Sequence, residues 1–230
     1  MSTGVATDAA IRTAVVAGAT GLVGHDLVER LLREARYRRV VALARRPLAN
    51  QDARLEVAKA AYDRLDAVLR SVTSADRPLD VFCCLGTTIR TAGSEEAFRR
   101  VDHDYVLAFG RWARTAKARR MVVISALGAD VDSRVLYNRV KGETERDLAA
   151  LGLASLVVVR PSLLAGDRAE FRFAERLALM ATRPLRALLP ASVRPIAAAD
   201  VAQAMLLAAL ADAPPAVLDS ASMQGASRTG

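Results

Sequence analysis

The chain has 230 residues, 52% of them apolar, and a net charge of +8 at neutral pH. That length fits one domain with a full core, and no apolar run approaches the roughly 18 residues that a membrane span needs. Lys occurs only at positions 59, 117 and 141, so all but three of the 33 basic residues are Arg; they are spread along the chain without interleaved aromatics, read as solvated faces, and predict no nucleic-acid partner.

The opening residues lack the basic and apolar stretches of a secretory signal. Residues 220–230 are small and polar, and both ends, about 1–11 and 220–230, are expected to be flexible. The first element is predicted at Thr13-Ala14-Val15-Val16-Ala17, an apolar strand. It runs into Gly18-Ala19-Thr20-Gly21-Leu22-Val23-Gly24 and then a helix near 22–35, whose Leu27, Val28, Leu31, Leu32 and Ala35 make one apolar stripe. Strand, Gly-rich turn and helix is the context that a dinucleotide-binding fingerprint requires. Gly18 allows the tight turn, Gly21 lets the backbone approach a pyrophosphate, and Gly24 lets the helix pack on the strand. The N–H groups of the helix start, with Thr20, Leu22 and Val23 around them, would face the phosphates.

The second strand, near 40–44, ends in Arg45-Arg46-Pro47. No carboxylate stands there to hold a ribose 2′-hydroxyl, and two guanidiniums suit a 2′-phosphate, so NADP(H) is preferred and NAD(H) is the second choice. Further strands are predicted near 55–58, 80–85, 120–125, 153–159 and 216–219, and helices near 61–73, 95–117, 137–150, 170–181 and 198–211. The alternation predicts an α/β fold, a doubly wound parallel sheet with helices on both faces and strand order 3-2-1-4-5-6. The fourth strand leads into Leu85, Gly86 and Thr87 at the point where the order reverses, which places these three beside the cofactor. Neighbouring Cys83 and Cys84 point to opposite faces, a poor disulfide or metal pair. Cys84 reads as a small core residue rather than a nucleophile. Unpaired cysteines and no secretory pattern predict a cytoplasmic protein. His25 and His103 match no metal-ligand spacing and read as structural.

Tyr137 and Lys141 stand four residues apart at the start of the helix after the fifth strand, on one face. A phenol is a poor acid–base near neutrality until a neighbouring ammonium favours its ionised form. It can then give a proton to a carbonyl oxygen or take one from an alcohol.

With these residues in place, the chain resembles the short-chain dehydrogenase/reductases over nearly its whole length. Phe82 to Thr88, Arg100 to Tyr105, Ser125 to Asp130 and Tyr137 to Glu143 are similar to the atypical, Tat-interacting-protein-like branch, which includes small bacterial NAD(P)H-binding proteins labelled epimerase-like. The resemblance implies a Rossmann fold across 1–230 with a small C-terminal substrate-side region. It implies Tyr137 as acid/base, and Lys141 as its partner on the nicotinamide ribose. Pro161 falls beside the cofactor, with Thr88, Ser162 and Leu163 toward the substrate. Two positions depart from the pattern. The usual Ser-Ser pair is Ser125-Ala126, so the catalytic hydroxyl is either Ser125 with a shift or missing. The usual helix asparagine is Asp102, which when ionised accepts hydrogen bonds but cannot donate them.

The expected activity is hydride transfer between NADPH and a small carbonyl or alcohol. Two alternatives stay open: an NADPH-sensing binding module with little catalysis, and a sugar-nucleotide epimerase-like enzyme. Only about seventy residues follow Pro161, which disfavours a bulky nucleotide sugar. The apolar, Arg-containing stretch 177–190 reads as a lid, with a membrane-surface helix as its alternative. The long helices leave a homodimer open.

Overall fold

Valine-rich runs alternate with amphipathic helices, and a sheet buried on both faces follows from that pattern. In the computed structural model, residues 11–59, 72, 77–165 and 190–228 are described. The helices expected near 61–73 and 170–181, the lid or membrane-surface reading of 177–190 short of Pro190, and the expected flexibility of residues 1–10 fall outside them.

In chain order the first half comprises β1 (Arg12–Ala17), α1 (Leu22–Arg33), β2 (Tyr37–Ala44), β3 (Leu55–Lys59), β4 (Leu79–Cys83) and the short α2 (Ile89–Ala92). Then come α3 (Glu95–Arg99), a π-helical turn (Arg100–Asp104), α4 (Tyr105–Thr115), β5 (Arg120–Ile124) and α5 (Leu136–Ala149). The last part holds β6 (Leu156–Arg160), β7 (Leu164–Ala165), β8 (Ile196–Ala197), α6 (Ala198–Leu210), β9 (Val217–Asp219), α7 (Ser220–Met223) and a 3-10 turn (Ala226–Arg228).

Seven strands pair in the order β3-β2-β1-β4-β5-β6-β9, and every pairing is parallel. This is the expected doubly wound order with one strand added at the edge. Alternate residues of β1 serve opposite faces. Ala14 and Val16 pack with Leu27, Leu31 and Met205 of α1 and α6, whereas Val15 and Ala17 pack with Phe109 and Leu148 of α4 and α5. Fully burying each large side chain contributes about 1.5–3 kcal/mol.

Two sequence expectations change, and one ladder is added. The helix expected across 95–117 is broken by the π-helical turn at Arg100–Asp104, which turns Asp102 fully inward. A separate two-stranded ladder joins Leu164–Ala165 to Ile196–Ala197. The tail from Ser220, expected to fray, begins as a helix over Ser220–Met223: Asp219 caps α7 by accepting from the Ser222 N–H at 2.8 Å, and Ser220 and Met223 are buried.

A cluster of charges closes the end of the sheet opposite the Gly-rich turn. Asp80, fully buried, accepts from the Tyr37 hydroxyl at 2.8 Å and from Arg119 at 2.8 Å. Burial first, and then the facing Asp80 carboxylate, push the Tyr37 phenol well above its ordinary pKa. Arg120 donates to the Ala208 and Ala211 carbonyls, each at 2.6 Å. These are among the orphan carbonyls that every helix end leaves, and a cation there also complements the dipole. Arg120→Leu leaves them buried without a donor. Its unfolding free energy should fall by about 2–3 kcal/mol in chemical denaturation; an unchanged midpoint would show that α6 does not depend on this cap.

Candidate active site

The Gly-rich turn is built by close approach of backbones. Gly18 has φ +79°, and a Cβ there would lie 2.5 Å from the Cys84 carbonyl oxygen. At Gly24 a Cβ would lie 2.2 Å from the Gly18 carbonyl oxygen. Any side chain at either position would separate β1, α1 and the end of β4. Gly21 is the N-cap of α1 and no side chain caps that helix, so its first N–H groups suit the phosphates of a dinucleotide.

A cavity of about 500 Å³ opens at the carboxyl ends of β1, β4, β5 and β6, where the strand order reverses. Gly21, Leu22 and Val23 form one side of it, and Leu85, Gly86, Thr87 and Thr88 another. Ser125, Tyr137 and Lys141 face them, and Pro161, Ser162 and Leu163 complete the wall. Thirteen positions expected from sequence therefore share one cavity. Thr20 lines an adjoining depression of about 430 Å³, with His25 and the start of α6. Gly18 and Gly24 lie beneath the turn. Arg45 and Arg46 are exposed just past the end of β2 and do not line the cavity.

Tyr137 is half-buried and stacks on Phe98, with ring centroids 5.5 Å apart. Lys141, one turn on, is buried, and its Nζ lies 2.7 Å from Asp102 Oδ1. The Thr87 backbone N–H donates to the other Asp102 oxygen at 2.8 Å. The Asp102 carbonyl accepts from the Thr144 hydroxyl at 3.0 Å. Burial pulls the Lys141 ammonium down, but the Asp102 carboxylate and the Tyr137 phenol outweigh it, and its pKa lies above the ordinary 10.5. Gly142 seats this helix: a Cβ there would lie 2.4 Å from the Asp130 carbonyl carbon.

Ser125 donates its hydroxyl proton to Glu145, whose carboxylate also accepts from Arg160 Nε at 3.0 and 3.1 Å. Sequence reading missed Glu145. The signal was there: Tyr137, Lys141 and Glu145 recur at four-residue steps on one face of α5. Leu127 and Val193 in the wall were also missed, because loop apolars carry no periodicity. Cys84 lines the cavity, and burial holds its thiol well above the ordinary pKa, against a nucleophilic role. His103 bonds Asp104 at 2.8 Å and Asp147 at 2.9 Å, at the surface side of α5.

The NAD(P)H-binding family matches residues 18–212. The chain belongs to that family. Protein FMP52, mitochondrial, of Eremothecium gossypii is 38% identical over 156 residues, 67% of each chain. Protein HTATIP2 of Rattus norvegicus is 35% identical over 172 residues, covering 73% of this chain and 69% of that one. Among solved structures, MoeE5 in complex with UDP-glucose and NAD superposes with a TM-score of 0.65 at 23% identity, over 90% of this chain and 75% of that one. This NAD(P)H-binding protein is therefore an atypical short-chain dehydrogenase/reductase of the Tat-interacting-protein-like branch, with a Rossmann fold. The glycine contacts and the uncapped start of α1 fit a nicotinamide dinucleotide.

The cytoplasmic expectation is corrected by the same relatives, since FMP52 proteins of several fungi are named mitochondrial. Two unpaired cysteines, adjacent in sequence and on opposite faces, do not distinguish one compartment from another. Among the described residues no helix is long and apolar enough to cross a membrane.

Lys141 and Asp102 are buried as a pair, so removing one charge strands the other. Asp102→Asn should cost about 3–5 kcal/mol, and Asp102→Leu with Lys141→Met much less than the two singles summed. Additive losses in denaturation would refute the pairing. Because the folded Lys141 pKa is raised, its contribution is complete below pH 10.5 and is lost as pH climbs through the folded value.

Proposed function

We propose that this chain is an NADPH-dependent oxidoreductase that interconverts a small carbonyl and its alcohol, with Tyr137 as general acid/base. The observation that carries the reading is Tyr137 and Lys141 on one face of α5, opening into the cavity that the Gly-rich turn also lines. When bound, the nicotinamide supplies or accepts the hydride. Tyr137 gives its phenolic proton to the carbonyl oxygen, or takes the alcohol proton in the reverse direction. Lys141 stays protonated against Asp102 and favours the phenolate; its remaining N–H groups suit the nicotinamide ribose. Leu85, Gly86 and Pro161, which line the cavity, would bound the nicotinamide. Arg45 and Arg46 follow the end of β2, where dinucleotide folds accommodate a 2′-phosphate with an Arg and no carboxylate, and this supports NADPH over NADH.

A second reading, an NADPH-sensing module with little catalysis, is favoured by one pair of observations. Asp102 partly cancels the Lys141 charge, and the Ser125 proton is committed to Glu145. Both reduce what the site offers a developing oxyanion.

Tyr137→Phe should lower turnover of a carbonyl panel by at least about a hundredfold while the dissociation constant for NADPH stays within about twofold. Undiminished turnover in that variant would exclude Tyr137 as the acid/base, and no turnover in the parent would favour the sensing module. Arg45→Glu with Arg46→Glu should weaken NADPH by about tenfold or more and leave NADH nearly unchanged. Calorimetric titration reads both, and equal losses would remove the arginines from cofactor selection.

A further inference from the structure

The cavity offers a ligand much hydrocarbon and few uncommitted polar groups. Its wall is built largely from aliphatic side chains, among them Leu85, Ile124, Ala126 and Leu164. At its mouth Leu127, Leu163 and Val193 are 40%, 52% and 48% exposed, so three large apolar side chains meet water around one opening. Such a cluster marks a surface completed by an apolar partner or ligand.

The polar groups are mostly committed. Among the described residues that line the cavity, the one permanent cation is Lys141, and it is paired with Asp102. Ser125 gives its proton to Glu145, Ser162 to the Arg194 carbonyl at 2.5 Å, and Thr88 to the Thr91 hydroxyl at 2.9 Å. Ser162 also accepts from Ser220 at 2.9 Å. A second diphosphate, beyond the dinucleotide's own at the start of α1, would meet no unpaired cation from the described walls, and a sugar's hydroxyls would find most facing protons already donated. Each group stripped of water without a partner weakens binding. Tyr137 and the Thr87 hydroxyl remain in the lining, enough for one carbonyl or alcohol oxygen. About 500 Å³ must also hold the nicotinamide end of the cofactor, which leaves room for a slender second molecule.

We propose that the substrate is a monofunctional aliphatic carbonyl or alcohol, one oxygen on a hydrocarbon body, and not a nucleotide sugar. The proposal rests on the oxidoreductase reading above. In the reductive direction the carbonyl carbon gains a hydride from the reduced nicotinamide. The C=O π pair moves to oxygen and takes the Tyr137 proton. The products are the alcohol and the oxidised nicotinamide, and the phenolate regains a proton from solvent.

The test is calorimetric titration of the full chain, saturated with NADP+, using 1-nonanol and UDP-glucose as probes. The expected result is binding of 1-nonanol at least about tenfold tighter than UDP-glucose. Leu127→Asp and, separately, Val193→Asp should each weaken 1-nonanol about tenfold while NADP+ affinity is retained. If one variant fails to fold, the other still reads the mouth. Absence of 1-nonanol binding, UDP-glucose binding as tight or tighter, or indifference to a folded mouth variant overturns the proposal. Binding of 1-nonanol without any turnover of nonanal would overturn its role as substrate and favour the sensing module over the oxidoreductase reading.

Discussion

The site depends on one buried ion pair. Taking an ammonium and a carboxylate out of water costs several kcal/mol for each ion, and mutual attraction offsets this only when the geometry is close and the remaining valences are filled. Here Lys141 Nζ and Asp102 Oδ1 stand 2.7 Å apart, and the second Asp102 oxygen takes the Thr87 N–H. Three chain segments are fixed at once: α5, which carries Tyr137; the π-helical turn, which carries Asp102; and the loop after β4. The turn itself follows from this demand. A wider coil at Arg100–Asp104 projects the carboxylate inward, and π-helical turns inside α-helices recur at functional sites. Gly86 passes over the pair, where a Cβ would touch Asp102 Oδ1 at 3.5 Å and Lys141 Nζ at 3.8 Å.

A second constraint, steric rather than electrostatic, shapes the cofactor side. Gly18 and Gly24 bring the backbone of the turn against itself and against the end of β4, so β1, β4 and α1 meet with no side chain between them. The Cys84 N–H donates to the Ala17 carbonyl at 2.8 Å and carries the β1–β4 pairing to the edge of the turn. The two constraints share the β4 loop. Its start is held by Gly18 and Ala17, and Thr87 is held by Asp102, so Leu85 and Gly86 are suspended between an anchor at the Gly-rich turn and an anchor at the Lys141–Asp102 pair.

Local periodicity made most of this architecture legible in the sequence. The strand positions, the doubly wound order, the Gly-rich turn and the Tyr137–Lys141 spacing are properties of neighbouring residues, and the structure brings those segments to one cavity. What sequence reading missed depends on contacts far apart in the chain. The π-helical turn answers to Lys141, some forty residues later, and nothing in Arg100–Asp104 alone requires it. Pairing of Leu164–Ala165 with Ile196–Ala197 bridges about thirty residues. The tail looked disordered by composition, yet Asp219 caps it and Met223 anchors it in the core. The compartment was misread for a different reason: thiol state follows redox conditions, and more than one compartment is reducing.

The two departures from the family pattern have a common consequence once they are set in the structure. Ala126 supplies no hydroxyl, and Ser125 points its proton at a carboxylate that Arg160 holds in place through three hydrogen bonds. Asp102, where an amide is usual, moderates the field that Lys141 casts on Tyr137. On the oxidoreductase reading each change would remove stabilisation from a developing oxyanion, and neither strands a charge, because Glu145 is paired with Arg160 and Lys141 with Asp102. The chain therefore preserves the packing that holds a dinucleotide and the face that carries Tyr137, while relying less on a hydroxyl donor beside it. A ligand with one oxygen and an apolar body loses least by that arrangement, since it asks for one proton donor and meets aliphatic walls elsewhere. Polyhydroxylated ligands lose most, because the donors they would need have already been paired within the protein.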